Sequence, residues 1–498
     1  LEIRPSFSQF KRMAGKGNLI PVCRDIMADT ETPVSVYLRV KGMSYSYLLE
    51  SADRGERWGR YSIIGFDPYL TVLSYPHETA VVDRSGNKQA IRNPLNPLLV
   101  LRELCRRFRP VEAGLVPPFQ GGFVGYCNYD LMGKWERLPG SPHDDGILPE
   151  AVFTISERLI VFDHLTYTVK VAALTHLEDG TDLKEVYDRA CRSIDETMDL
   201  LHAPVPVHTE EPFTLPELHS NFSKEGFEQA VERAKEHIVS GDVIQVVLSQ
   251  RFSGTASGDD FALYRNLRSI NPSPYMFYLN FGDIRLIGAS PEILVRLTGN
   301  RIRLRPIAGT RPRGHTREED LLLEKELIAD PKERAEHIML VDLGRNDVGR
   351  VAAPGSVVVP RLMEVERYSH VMHLVSHVEG RLRSDKDAFD LFMSAFPAGT
   401  VSGAPKIRAM EIINELEPTP RGPYAGAVGY FGFNGNMDFC ITIRTIAVAK
   451  NRLSAQVGAG IVADSSPEGE YNETLRKAAA MLKSIEEAKR DDTGHRQL

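Results

Sequence analysis

The stretch AGAVGYFGFNGNMDFCITIRTIAVAKNRLSAQVGAGIV, residues 425–462, decides the fold class. It reads as three strand-like segments, 425–433, 439–449 and 453–462, joined through the short turns FNGN (433–436) and AKN (449–451). Connections this short leave no room for a crossover helix, so the segments pair antiparallel. Residues 243–252, 284–288 and 302–306 also read as strands, while 317–329 and 332–343 read as helices. Another helix opens after Ser223 as N-cap, with Phe227, Ala230, Val231, Ala234 and Ile238 at helical spacing, and Ser240-Gly241 closes it. The predicted class is α+β, with sizeable antiparallel sheets covered by helices. Residues 202–221 carry Pro204, Pro206, Pro212 and Pro216 and read as a linker, because proline suits neither a helix interior nor a central strand. The linker separates an N-terminal part, 1–201, from a larger part, 222–486, and a polar tail follows at 487–498.

Composition narrows the function classes. Lys+Arg number 60 and Asp+Glu 67, a formal charge of 60 − 67 = −7, whereas a nucleic-acid binder usually shows a basic footprint. The five cysteines (Cys23, Cys105, Cys127, Cys191 and Cys440) form no CxxC pair, which opposes a zinc ribbon or a disulfide framework. The N-terminus, LEIRPSFSQFKRMAGKGN, lacks the apolar core of a signal peptide, and no apolar run reaches membrane-span length. A cytoplasmic protein with neither nucleic acid nor membrane as partner is expected.

The chemistry begins after the 453–462 strand. Ser466 caps a helix with Pro467 at its first position, and Glu470, Glu473 and Lys477 fall on one narrow stripe of it. Leu475, Ala478, Leu482 and Ile485 make a separate apolar stripe. The charged stripe alone is as readily a solvated face with a Glu473–Lys477 pair. Just upstream, VGAG (457–460) would let a ligand approach backbone N–H groups, or would simply serve tight packing. Asp330 caps a further helix that carries Glu333, Glu336 and His337; Asp342, Arg345, Asn346, Asp347 and Arg350 read as a charged turn. Carboxylate-only ligation favours a hard cation such as Mg²⁺. His373, flanked by His370 and His377, sits among apolar residues; Thr400 and Lys406 lie in a Gly/Pro-rich loop; and Glu292 follows a Ser-Pro pair. A buried carboxyl there would have a raised pKa and could act as a general acid.

These residues lie in motifs that resemble the chorismate-utilising enzyme family. The motifs are DVIQVVLSQRF (242–252), NPSPYMFYL (271–279), GASPEIL (288–294), RPIAGTRPRG (305–314), DPKERAEHIMLVDLGRNDVGRV (330–351), HVMHLVSHVEG (370–380), FPAGTVSGAPKIRAMEIINELEP (396–418), YAGAVGYF (424–431), CITIRT (440–445) and QVGAGIVADSSPEGEYNETLRKA (456–478). Each is modest alone; in this order they are specific, and they span the larger part of the chain. The resemblance implies two large antiparallel sheets packed face to face with helices outside, and N- and C-terminal parts that intertwine.

It also implies roles. Glu336 and Glu473, with Glu470 close by, resemble carboxylates that hold Mg²⁺. Gly309, Thr310, Tyr424, Arg444, the backbone of Gly458, Ala459 and Gly460, and Lys477 resemble the groups that hold the two carboxylates of chorismate. Glu292 resembles the acid assisting departure of the C4 hydroxyl, and His373 and Thr400 resemble active-site polar groups. Family members that add water use a lysine base where this chain has Gln245, and the para-aminobenzoate branch has a lysine where this chain has Ala308. Both differences imply direct addition of ammonia at C2 and loss of pyruvate to give anthranilate. Pro312 departs from a usually basic position. No nucleophilic-elbow cysteine marks a glutaminase, so a separate glutamine amidotransferase subunit is expected, in a hetero-oligomer. YLLES (47–51) resembles a tryptophan-sensing element, which implies feedback inhibition by L-tryptophan at Glu50, Ser51, Pro274, Tyr275 and Met276, with Val428 and Tyr430 alongside. The alternatives are a synthase that stops at the aminodeoxyisochorismate stage, a catalytically dead tryptophan-binding regulator, and a Mg²⁺ phosphoester hydrolase, for which no P-loop is present.

Overall fold

Side chains alternate across a strand, so a strand apolar on both faces must be covered on both. The strand Tyr275–Phe281 is such a case, and a computed structural model shows how it is covered. The structure describes residues 2–27, 29–51, 59–92, 96–111, 119–139, 148–206, 211–368 and 371–494. Phe277, Leu279 and Phe281 face a core shared with Val295, Phe431 and Phe439, while Met276 and Tyr278 face a second core shared with Tyr264, Met481 and Ile485 of two helices. Each large side chain buried this way contributes roughly 1.5–3 kcal/mol of transfer free energy. The result is two sheet layers packed face to face with helices outside, as expected.

The layers are not separate sheets. The long strands Tyr61–Tyr75 and Ala151–Asp163 pair along most of their length and belong to both layers. From one half the pairing runs antiparallel through Ser46–Glu50, Tyr275–Phe281, Ile284–Ser290, Thr445–Ala449 and Arg452–Ile461 to Gln245–Thr255. From the other it runs through Gly122–Cys127, Ala427–Gly432, Met437–Ile441, Ile293–Thr298 and Arg301–Leu304 to Val371–Arg381. The N-terminal part therefore supplies strands on both sides of the junction, and hydrogen bonds cross between the two parts in each layer.

Several local expectations change. Residues 439–449 are two strands, not one: the chain breaks at 442–444, where Arg444 has φ 50°, and passes from one layer to the other. Residues 284–298 make the matching crossing at 291–292. The charged turn at 342–350 is helix: Pro331–Gly349 runs through it, capped by the Asp330 carboxylate on the Lys332 and Glu333 N–H groups. Asp347 is buried there against Lys406, 2.9 Å away. In the helix Pro467–Gly494 the buried stripe is Thr474, Ala478, Met481, Ile485 and Ala488, and Leu475 is exposed. That helix also carries much of the expected tail; residues 495–498 lie outside the described residues, as do 207–210 of the linker and His370. Within the linker, Phe213 and Leu215 are buried and Thr214 bridges to Ser257. Among the described residues no helix is long and apolar enough to cross a membrane.

Candidate active site

The two layer crossings lie side by side. Ile441 N–H donates to the Glu292 carbonyl at 3.0 Å, and Ala289 N–H donates to the Arg444 carbonyl at 3.1 Å. A strand that changes layers must leave its ladder, so residues at the crossings are free to serve a ligand. Glu292 is buried and lines a cavity with Arg305, Leu340, Asp347, Thr400 and Ile441. Burial pushes its carboxyl up to about 8, against the opposing pull of Thr400, Arg305 and Arg444. The proton is therefore held at neutral pH. Thr400 sits in a short 3₁₀ turn, Gly399–Val401. Its buried hydroxyl finds no partner at full hydrogen-bond geometry among the described residues, though its nearness still favours the ionised carboxyl. The Arg444 guanidinium is steadied by Asn271 Oδ1 at 3.2 Å.

His373 comes from Val371–Arg381, beside the strand Ile307–Pro312. Its Nδ1 lies 3.0 Å from the Gly309 carbonyl and 3.1 Å from the Thr310 hydroxyl. A carbonyl oxygen only accepts, so Nδ1 carries the proton and Nε2 keeps its lone pair. Burial, then Arg444 and Arg305, hold the imidazole below its ordinary value despite the Gly309 carbonyl. The ring is thus neutral, with a basic Nε2. Gly309 adopts φ 67°, and a Cβ there would meet Glu333 and Leu327 at 3.1 Å.

Gly458, Ala459 and Gly460 lie inside the strand Arg452–Ile461, where 453–462 was expected to be extended, and pair with Ser249, Leu248 and Val247. The Gly458 carbonyl accepts from Lys477 Nζ at 3.1 Å, so Gly458 faces away from its ladder partner. By alternation the N–H groups of Gly458 and Gly460 share that outer edge, which the neighbouring strand leaves uncovered beyond Ala455. A Cβ on Gly458 would lie 2.5 Å from Tyr424 Oη, and one on Gly460 2.7 Å from Gln245 Nε2. At Gly458 a side chain would also meet the Leu248 carbonyl at 2.9 Å, whereas at Gly460 only the end of the Gln245 side chain would have to move.

Two helices bring carboxylates toward this strand. Glu336 accepts from the buried Gln245 Nε2 at 3.0 Å. Glu473 lies beside Arg476 at 2.7 Å and Lys477 at 3.6 Å. Burial raises its pKa, and these cations outweigh that and lower it overall. Glu470, one turn earlier, is partly exposed. No three His, Cys, Asp or Glu side chains gather at metal-binding spacing among the described residues. Mg²⁺ does not need such a cage: it is usually held by one or two carboxylates together with ligand oxygens and waters. The hard oxygen donors of Glu336 and Glu473, converging on one glycine strand, fit that ion.

The residues expected to sense tryptophan divide between two faces. Glu50 pairs directly with Met276. Its carboxylate accepts from Arg268 at 3.0 and 3.1 Å and from the Tyr264 hydroxyl, on the helix-covered face. Tyr275 lies on the other face and donates to Asp438 at 2.9 Å. Val428 and Tyr430 belong to this inner face, with Tyr430 packed edge-on to Phe119 at 4.9 Å. Pro274 is partly exposed. Ser51 Oγ is buried with no hydrogen-bond partner among the described residues, and residues 52–58 lie outside them.

Three charged groups near the site are not among the residues expected from the sequence. Arg305 bonds Tyr368 at 3.1 Å and pairs with Glu366. Arg296 and Asp438 lie against Tyr275. Glu417 pairs with Arg421. Arg305 and Glu417 stand in motifs quoted above, but their partners are distant in sequence or carry no motif of their own.

Fold and site define a class: a two-layer α+β protein in which a protonated buried carboxyl, Glu292, and a neutral imidazole, His373, both feel the charges of Arg305 and Arg444. A family model described as chorismate binding enzyme matches residues 45–483, and the chain belongs to that family. Anthranilate synthase component 1 from Acetivibrio thermocellus is 47% identical over 97% of this chain and 99% of its own length. The protein of the same name from Thermus thermophilus is 47% identical over 94% and 98%. The crystal structure of anthranilate synthase component I from Streptococcus pneumoniae superposes with TM-score 0.74 at 37% identity, covering 92% of this chain and 99% of that one. The menaquinone-specific isochorismate synthase of Escherichia coli shares the fold, with TM-score 0.69 at 19% identity over 96% and 98%.

Proposed function

We propose that this chain converts chorismate and ammonia to anthranilate, pyruvate and water, as the chorismate-binding component of an anthranilate synthase. The observation that carries this reading is Gln245. Its buried amide donates to Glu336 where water-adding relatives are expected to hold a lysine base. An amide cannot activate water at neutral pH, whereas ammonia is already a nucleophile. Ala308 likewise offers no amine for covalent attack at C2.

Arg444, Lys477, Thr310, Tyr424 and the outward N–H groups of Gly458 and Gly460 bind the two substrate carboxylates. Mg²⁺, held by Glu336 and Glu473 with Glu470 nearby, would neutralise the ring carboxylate. Ammonia forms the C2–N bond as the C4–O bond breaks, and Glu292 gives its proton so that the hydroxyl leaves as water. The ammonium formed at C2 returns one proton to the Glu292 carboxylate; His373 Nε2 then takes the C2 proton, the C3–O bond breaks to release enolpyruvate, which regains that proton at its methylene carbon to become pyruvate, and the ring becomes aromatic. Thr400 orients Glu292. Ammonia comes from a separate glutamine amidotransferase subunit in the cytoplasm.

The purified chain, given chorismate, Mg²⁺ and ammonium, is expected to release anthranilate and pyruvate by mass analysis, and glutamine alone is not expected to replace ammonium. Isochorismate or 4-amino-4-deoxychorismate as the main product would overturn this reading.

The same reading includes inhibition by L-tryptophan at the Glu50–Ser51 and Pro274–Met276 segments. The unpartnered Ser51 hydroxyl supports it, since it can accept from an ammonium group. Ser51→Phe is expected to abolish inhibition and to leave uninhibited turnover near normal. Insensitivity of the unmodified enzyme to millimolar tryptophan, a level that registers even binding of about 4 kcal/mol, removes the regulatory assignment alone.

A further inference from the structure

Glu417 and Arg421 have no role so far, yet they form the most deeply buried ion pair described, with side chains 2% and 1% exposed. Arg421 Nε and Nη2 grip the two Glu417 oxygens at 3.0 and 2.6 Å. The remaining donors reach backbone: Nη1 bonds the Val401 carbonyl and Nη2 the Val247 carbonyl, both at 2.7 Å. Glu417 Oε1 also accepts from Ser249 N–H and Ser249 Oγ, both at 2.8 Å. The guanidinium lies 4.6 Å from the Tyr129 ring centroid and 5.5 Å from that of Tyr424.

Every contact but Tyr129 ends at a segment of the site. Val401 closes the turn that carries Thr400. Val247 and Ser249 pair with Gly460 and Gly458 on the strand that begins at Gln245. Tyr424 covers Gly458. A buried ion pair is weak evidence for stability, because well-packed apolar residues often replace it without loss. A planar fork that grips Glu417 and also bonds the Val401 and Val247 carbonyls gives something apolar packing cannot: a fixed relative placement.

We infer that Glu417 and Arg421 are positioning residues for the reaction. Arg421 holds the Thr400 turn, the strand Gln245–Thr255 that pairs with Gly458–Gly460, and the Tyr424 ring in one geometry. It acts through those groups and does not touch substrate. This rests on the site reading above.

The test is Arg421→Lys, which keeps the charge opposite Glu417 and loses the fork. Anthranilate formation with ammonium is measured as kcat and KM separately across pH, with circular dichroism as a check on folding. The variant is expected to fold and to lose about 10–100-fold in kcat, the scale on which a misplacement near 1 Å acts. The alkaline limb of its kcat/KM profile should move to higher pH, because Glu292 loses the bias from Thr400. Adding Thr400→Val to Arg421→Lys should cost less than it costs alone, since the two act as one unit. Should Arg421→Lys fail to fold, Ser249→Ala, which removes one donor to Glu417, is expected to shift the profile in the same direction with a smaller loss. A folded variant with normal kcat and an unmoved pH profile would make the pair purely structural and overturn the inference. Full turnover in Thr400→Val alone would instead sink the site reading, and the inference with it.

Discussion

Glu292→Gln is expected to lower kcat about 10²–10⁴-fold, the usual contribution of a general acid, while chorismate binding is retained. Glutamine fills the same space and cannot give a proton to the departing C4 hydroxyl. The cavity stays intact because the backbone on each side is tied: the Glu292 carbonyl accepts from Ile441 N–H, and Ser290 Oγ donates to the Ile441 carbonyl at 2.6 Å. The pH dependence has a definite sign. Burial raises the carboxyl to about 8, so the acid form is present at neutral pH and is lost as pH rises through that value. In the unmodified enzyme kcat/KM should fall on the alkaline side near pH 8, and that limb should be absent from the residual activity of Glu292→Gln. An alkaline limb that survives the substitution would assign the proton to another group.

Glu473→Gln should abolish Mg²⁺-dependent turnover and leave the fold unchanged. The loss should exceed the 10–100-fold that follows even from disturbing groups behind a metal ligand. The helix does not depend on Glu473. Gln250 Nε2 donates to the buried Thr474 hydroxyl at 2.6 Å, and Ala478, Met481 and Ile485 hold the helix against the sheet. Removing the carboxylate therefore costs an exposed pairing with Arg476, and surface pairs of that kind contribute about 0–1 kcal/mol. Calorimetric titration of Mg²⁺ in the presence of chorismate separates binding from turnover. Unchanged Mg²⁺ affinity would remove Glu473 from the ion's coordination, whatever happens to the rate.

Helix starts were legible because caps are local. Ser223 accepts from Gly226 N–H, and Ser466 from Gly469 N–H, where the sequence placed them. By sequence 342–350 reads as a charged turn because a run of Asp, Arg and Asn looks solvated, whereas the helix continues to Gly349. One of those residues, Asp347, is buried, and it is the distant Lys406 that makes its burial tolerable. The 439–449 segment looked like one strand because the apolar pattern continues through Ile441 and Ile443. Only the change of layer at Arg444 divides it.

Turn lengths, the period-two and helical patterns, and the order of the motifs are properties of neighbouring residues. By themselves they determined the α+β class, the antiparallel pairing, the family, and the residue types at the site. Tertiary structure alone decided what those residues do to one another. Two layer crossings, far apart in the chain, set Arg444 beside Glu292; enclosure there, not the local sequence, moves the carboxyl to about 8. Pairing opposite Met276 turned the Glu50 carboxylate toward Arg268 and Tyr264, away from Tyr275. Packing also placed the Arg421 fork between three segments that no spacing rule connects. Burial and hydrogen bonding are properties of the surroundings, and those exist only once the sheet has folded over on itself.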